Sequence, residues 1–315
     1  MPTLDNPLVF CLMGPTASGK TAQACELVQR FPMEIISIDS TMVYRDMNIG
    51  AAKPGADVLA HAPHHLIDIL DPTDIYSAAQ CCDDVKRLCQ TIQERGKIPL
   101  LAGGTMMYFH ALQQGLSSLP EADDKIRTAI LQQAAEQGWA AMHQQLTVID
   151  PVSAARIHPH DTQRIQRALE VFAITQKPLS VLWDETKTKP TMRFINLVIM
   201  PNDRANLHAR IAERFKQMLV EGLIEEVEQL TKKWSITAEH PSMRSVGYRQ
   251  VLCYLQGEYN ANALCEKGIA ATRQLAKRQL TWLRHWTDIL PFIAENPSIN
   301  REMVTTIERI LMNIG

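Results

Sequence analysis

Gly14-Pro15-Thr16-Ala17-Ser18-Gly19-Lys20-Thr21 matches G-x-x-x-x-G-K-[ST] at every fixed position. The apolar run Leu8-Val9-Phe10-Cys11-Leu12-Met13 precedes it and reads as a buried parallel strand. Behind it, Ala24, Leu27, Val28 and Phe31 recur near helical spacing. Strand, glycine turn and helix are the context in which this motif cradles phosphate. The glycines let the backbone bend until several N–H groups of residues 14–21 point at one anion. The helix N-terminus adds positive potential, Lys20 adds a full charge, and the Thr21 hydroxyl can hold Mg2+. Which phosphate is bound stays open, because ATP, GTP and a non-nucleotide diphosphate all suit such a cradle.

The 315 residues suffice for one large or two modest domains with a full core. A formal net charge of −2 does not advertise a nucleic-acid partner, so only local basic clustering could reveal one. No apolar segment approaches the length of a bilayer span, and the start MPTLDNPLVF lacks a signal peptide's charged n-region. No membrane association is therefore expected. Seven Cys, odd in number and with no C-x-x-C pair, argue against a disulfide framework or a zinc site. Cys11 and Cys25 read as buried free thiols, and a reducing cytoplasm is the expected compartment.

Residues 34–38 read as a second strand ending in Asp39-Ser40, and residues 41–75 as loop. Ser77-Ala78-Ala79-Gln80 fits a capping box that opens a helix to about Arg95. Residues 98–102 form a third strand ending in Gly103-Gly104-Thr105. Strands alternating with helices predict an α/β core with a parallel sheet flanked by helices. From about Leu116 to Pro190 the periodicity is helical, with helices over 124–137, 139–147 and 162–175. Strand character returns at 193–200, and the remainder reads as mostly helical. The expected organisation is a P-loop core over 1–116, a mainly helical insertion domain over 117–190, and a core continuation with a helical C-terminal region over 191–315.

Asp39, at a strand end, faces the same crevice as Lys20 in an open parallel sheet. It suits a Mg2+-holding carboxylate, a general base beside a substrate amine or hydroxyl, or a turn cap. Gly103-Gly104-Thr105 allows close backbone approach to a ligand, or a tight turn. In the insertion, Asp161 caps a helix with Gln163, Arg164 and Arg167 on one face and Ile165, Ala168, Leu169 and Phe172 on the other. That polar face suits phosphates, bases or plain solvent. Between Arg244 and Arg284 seven basic residues outnumber two acidic ones. Arg273, Lys277, Thr281 and Arg284 share a helical face, with Trp282 one turn beyond Arg278, so a cation and an aromatic ring could flank a base.

Taken together, GPTASGKT at 14–21, DSTMVYRDMNIGAAKP at 39–54, HHLIDI at 64–69, GGTMMY at 103–108, DTQRIQRALEV at 161–171, RSVGYRQ at 244–250 and KRQLTWLR at 277–284 resemble the bacterial tRNA dimethylallyltransferase family. The resemblance covers nearly the whole chain. Met42 stands where Gln or Leu is usual, and Ser245 where Cys is frequent. The resemblance implies transfer of a dimethylallyl group from dimethylallyl diphosphate to N6 of the adenine just 3′ of the anticodon. The P-loop, Gly14 to Thr21, would then bind the diphosphate leaving group with Mg2+ on Thr21, and Asp39 would be the catalytic base. Lys20, Thr21, Thr105 and Arg127 match positions near the reaction centre or its tRNA contacts. The tRNA anticodon stem-loop would be held by Asp39, Ser40, Thr41 and Met42, and by Gln163, Arg164, Ile165, Gln166 and Arg167. Arg244, Ser245, Val246, Gly247, Tyr248 and Arg249 match a further tRNA segment, as do Lys277, Arg278, Gln279, Leu280, Thr281, Trp282, Leu283 and Arg284. A monomer is expected. Two readings compete on the residues alone: a P-loop small-molecule kinase, and a nucleotide-switched RNA-binding protein.

Overall fold

Every residue of β1 (Leu8–Met13) is buried, as an unbroken apolar run requires of a strand covered on both faces. The computed structural model describes residues 7–115, 119–185 and 192–313. The chain forms two compact units, one of Met1–Gln113 with Thr191–Gly315 and one of Gln114–Pro190. The boundaries expected at 116/117 and 190/191 touch positions outside the described residues.

In the first unit the chain continues through α1 (Lys20–Arg30), β2 (Met33–Ile38), α2 (Ala56–His61), β3 (His64–His65), α3 (Ala78–Glu94), β4 (Ile98–Gly103) and α4 (Met106–Gln114). The second unit holds α5 (Asp124–Gln137), α6 (Trp139–Ile149), α7 (Pro151–Arg156), α8 (Thr162–Thr175) and α9 (Leu179–Glu185). The first unit resumes with β5 (Arg193–Met200), α10 (Arg204–Val220), α11 (Leu223–Trp234), a 3-10 turn (Pro241–Arg244), α12 (Tyr248–Leu255), α13 (Ala261–Arg284), β6 (Ile289–Ile293) and α14 (Ile299–Met312). No described helix is long and apolar enough to cross a membrane.

The six strands are all parallel, in the order β3-β2-β4-β1-β5-β6. Alternate residues face opposite sides of the sheet. Phe10, Leu12, Ile35, Leu100, Leu197 and Ile199 share a core with Leu27 of α1 and Met303 and Ile307 of α14. From β1 the chain winds first to β2 and β4 on one side and later to β5 and β6 on the other. That reversal opens a crevice at the carboxyl end of β1, where open sheets bind ligands.

The structure adds to the sequence reading in three places. The expected loop 41–75 contains α2 and β3, and β3 is too short to show a period. β6 lies in the stretch expected to be helical, and Pro291 interrupts its strand signal. An edge position tolerates that proline because its missing N–H costs no ladder bond on the open side. The helical unit also contains α7 and α9, the first opened by Asp150 and Pro151.

The helical unit closes on its own core of Ile130, Met142, Leu146, Ile165, Leu169 and Val171. Asp123 and Asp161 cap α5 and α8 by accepting backbone N–H bonds. The buried Asp150 carboxylate accepts from the N–H and hydroxyl of both Ser153 and Ser180. These four bonds outweigh its burial and hold its pKa below the usual carboxylate range.

Candidate active site

A cavity of about 410 Å³ opens at the carboxyl ends of β1, β2 and β4. Its wall includes Thr16 to Ala22 of the P-loop and α1, Asp39 and Thr41 after β2, Gly50 to Ala52, Gly103 and Gly104 after β4, Arg214 and Phe215 of α10, and Gln279 of α13. Gly19 turns the loop into α1 at φ 88°, a left-handed conformation that side chains disfavour. The Lys20 ammonium donates to the Pro15 carbonyl at 2.6 Å and lies 3.5 Å from the Ser18 hydroxyl. Burial, with the Arg214 charge adding to it, pushes Lys20 down to about 7, and Asp39 opposes the shift. Burial likewise lowers Arg214, again against the pull of Asp39.

Neither Lys20 nor Arg214 has a carboxylate within ion-pair distance among the described residues, and Asp39 is the one acidic side chain in the cavity wall. Two half-buried cations without carboxylate partners favour a polyanion. Asp39 Oδ1 accepts from the N–H groups of Thr41 and Met42 at 2.8 and 3.3 Å. Its Oδ2 has no hydrogen-bond partner among the described residues. The cap reading is thus true of one oxygen and leaves the other for chemistry. Thr105 Oγ1 accepts from the Ser40 N–H at 3.1 Å and so fixes the turn that carries Asp39.

The loop between β2 and α2 and the residues near α12 shape the rest of the wall. Glu226, buried on α11, accepts from the N–H groups of Asn48, Ile49 and Gly50 at 2.9, 2.7 and 3.2 Å. It also accepts from the Tyr248 hydroxyl at 2.7 Å, and that hydroxyl accepts from the Ala51 N–H at 3.1 Å. Burial and the Glu226 charge push the Tyr248 phenol well above its ordinary pKa. Tyr248 is therefore a core anchor for the 48–51 loop, and its side chain is not presented to RNA. Thr41 and Ser245 meet at 3.3 Å between hydroxyl oxygens, and Ser37 donates to Met42 Sδ at 3.6 Å. Met42 and Val246 also line the cavity.

The segments expected to contact tRNA divide by exposure. On α13, Lys277, Arg278, Thr281, Trp282 and Arg284 are exposed. The Trp282 ring lies 5.4 Å from His110 and 6.5 Å from Trp286. Gln279, Leu280 and Leu283 are buried on the opposite face, so they seat the helix and present nothing outward. Arg244 and Arg249 are exposed, while Gly247 is the buried residue just before α12.

In the helical unit Gln163 and Arg164 are exposed, and Arg164 pairs with its own cap Asp161 at 3.0 Å. Gln166 is half-buried. Ile165 is wholly buried in the unit's core, so its expected RNA contact is not available to the side chain. Arg127 and Arg167 both bind the buried Glu170, through Nε at 2.9 Å and a terminal nitrogen at 2.9 Å. Their half-exposed guanidinium groups are thereby held in fixed directions.

Sequence reasoning missed Arg214, Glu226 and the bridging role of Gln279. Arg214 carries no local signal: it is one arginine on an amphipathic helix, and only the tertiary fold turns it toward Asp39. Gln279 could have been suspected from its spacing with Ala276, Leu280 and Leu283, which places it on the buried face.

The family model described as IPP transferase matches residues 42–286. The chain belongs to the IPP transferase family. It is similar to a tRNA dimethylallyltransferase of Legionella pneumophila (strain Paris), with 58% identity over 308 residues and 98% of each chain covered. A tRNA dimethylallyltransferase of Thiobacillus denitrificans is 53% identical over 286 residues, covering 91% of each. Among solved structures, the full-length tRNA isopentenylpyrophosphate transferase of Bacillus halodurans matches with a TM-score of 0.71 and 32% identity, over 98% of this chain and 97% of that one. A eukaryotic dimethylallyltransferase acting on tRNA matches with a TM-score of 0.79 and 26% identity, over 98% of this chain and 80% of that one. Residues from most of the blocks that carry the resemblance thus line one cavity in the first unit, and the block at 161–171 lies along α8 in the second.

Proposed function

We infer that this IPP transferase prenylates tRNA, moving a dimethylallyl group from dimethylallyl diphosphate to N6 of the adenine 3′-adjacent to the anticodon. The observation that carries the reading is the convergence of two carboxylate-free cations, Lys20 and Arg214, with one half-engaged carboxylate, Asp39, in a single cavity. The cations suit a diphosphate leaving group, and the carboxylate suits a proton from an amine.

The N6 lone pair is delocalised into the adenine ring and needs a base as it attacks. It forms a bond to C1 of the dimethylallyl group while the C1–O bond breaks, and the electron pair leaves with the diphosphate. The N6 proton passes to Asp39. Lys20, Arg214 and the P-loop N–H groups stabilise the charge that grows on the departing oxygen. The target base leaves the anticodon-loop stack to enter the cavity, and Arg127, Arg164, Arg167 and the outward face of α13 hold stem phosphates and neighbouring bases.

Among the described residues no three His, Cys, Asp or Glu side chains are grouped to cage a metal. The Thr21 hydroxyl is a hard oxygen donor that would hold Mg2+ with diphosphate oxygens and water completing the shell, which leaves the uncapped Asp39 oxygen for the proton. The charge neutralisation that Mg2+ would supply to the leaving diphosphate would add to that of Lys20 and Arg214.

The kinase and switch readings lose their ground once the chain is placed in this family, since neither needs the basic–aromatic face of α13. Incubation with ATP, dimethylallyl diphosphate and unmodified tRNA tests the assignment. Prenylated tRNA with release of pyrophosphate is expected, with ATP untouched. Stoichiometric ADP formation would overturn it.

A further inference from the structure

Gln279 is a polar side chain on the buried face of α13, only 7% exposed. Both ends of its amide are engaged. Its Oε1 accepts from the Thr16 N–H at 2.8 Å, and its Nε2 donates to the Gly104 carbonyl at 2.8 Å. Thr16 belongs to the P-loop after β1, and Gly104 to the turn after β4. A Cβ on Gly104 would lie 2.6 Å from Gln279 Nε2, so the glycine makes room for the amide. On either side of Gln279, Ala276 and Leu280 pack with Leu207 and Ile211 of α10 and with Ala17 of the P-loop. The helix is therefore seated on the loop by apolar contact, and the amide sets the register.

We propose that Gln279 is a positioning residue that fixes the diphosphate cradle against the Thr105–Asp39 side of the active site. The proposal rests on the transfer reaction inferred above. The path is continuous: Thr16 N–H to Gln279, Gln279 to the Gly104 carbonyl, along one peptide to Thr105, and from the Thr105 hydroxyl to the Ser40 N–H beside Asp39. Lys20 and Thr21 ride on one end and the base on the other. Attack and departure occur at a single carbon, so the distance between those ends sets the approach of nucleophile to leaving group. A misplacement of about 1 Å at such a centre costs about a hundredfold in rate.

Only a primary amide at this reach offers one acceptor and one donor in a planar tip. Glutamate keeps the acceptor for Thr16 but turns a second oxygen on the Gly104 carbonyl. Methionine keeps the volume and supplies neither bond. Both ends of the Gln279 amide are tied to backbone and the residue is buried, unlike its exposed neighbours Arg278 and Trp282.

The test measures steady-state kinetics with tRNA and dimethylallyl diphosphate for wild type, Gln279→Glu and Gln279→Met, with and without Thr105→Ala. Thermal unfolding confirms that each variant is folded, and Gln279→Glu, which is isosteric, guards against collapse of the Met variant. We expect kcat to fall about tenfold to a hundredfold in both single variants. KM for tRNA and the salt dependence of tRNA affinity should stay at wild-type values. Combining either change with Thr105→Ala should cost far less than the product of the two single losses, because both act through one path. Wild-type kcat in the variants would overturn the proposal. So would a raised KM for tRNA at unchanged kcat, the mark of an RNA contact, or losses that simply multiply. Absence of transfer by the wild type would instead sink the inferred reaction, so the two failures are distinct.

Discussion

The Lys20 ammonium donates to the carbonyl oxygen of Pro15, five residues earlier in the same loop, at 2.6 Å. This carbonyl offers the ammonium a neutral acceptor at the mouth of a loop suited to hold an anion. A neutral oxygen does not repay the burial that lowers Lys20 to about 7.

A bound diphosphate brings negative charge to that ammonium and raises its pKa. Between the two values, binding takes up a proton. Affinity for inorganic pyrophosphate should therefore be level below about pH 7 and weaken by up to about tenfold per pH unit above it. Comparing wild type with Lys20→Met by calorimetry removes the ligand's own titration. Equal pH dependence in the two proteins would show that Lys20 does not titrate on binding.

Asp39 has two jobs on two oxygens, and one substitution separates them. Asp39→Asn keeps an acceptor for the Thr41 and Met42 N–H groups but cannot take a proton. Its kcat should fall by about 10²–10⁴ with tRNA affinity little changed. Asp39→Ala should add a loss of affinity from the loosened turn at 40–42. If Asp39→Asn turns over at the wild-type rate once saturated, the carboxylate only positions the adenine.

Arg164 and Arg278 lie on exposed faces, and the Arg164 side chain is 72% exposed despite its pairing with Asp161. If each neutralises one RNA phosphate, removing either should reduce the log–log salt slope of tRNA affinity by roughly 0.7–0.9. Pyrophosphate affinity should not change. A salt titration of binding for wild type, Arg164→Ala and Arg278→Ala reads this directly, and an unchanged slope would return both residues to ordinary surface.

Tyr248→Phe deletes one donor to Glu226 and the acceptor for the Ala51 N–H, both in a buried setting. Stability should fall by about 1–3 kcal/mol, seen as a lower denaturation midpoint at unchanged slope. A variant as stable as wild type would mean that water replaces the hydroxyl.

The sequence carried the P-loop, its strand and helix, and Asp39, because each depends on neighbours within a few residues. The α8 cap at Asp161 and the capping box at Ser77 and Gln80 were legible for the same reason. What escaped depends on distant partners. Arg214 gains meaning from Asp39, Glu226 from the N–H groups of residues 48–50, and Gln279 from Thr16 and Gly104. Resemblance to a family marked whole segments such as 277–284, yet within them burial alternates with the helical turn, and only the packed structure separates inward from outward residues.

The order of the strands also bears on how the molecule assembles. β1 is flanked by β4 on one side and by β5 on the other, and its Leu8 pairs with Arg193. Between them the chain passes through α5 to α9, whose contacts are local and close on one another. Low contact order favours early folding of such a helical segment, while pairing across a long excursion is slow. During synthesis an apolar strand and its phosphate loop thus emerge long before the partner that completes their sheet. A stalled or truncated chain ending near residue 190 would hold β1 with one ladder edge bare, the condition in which strands associate with the wrong neighbour.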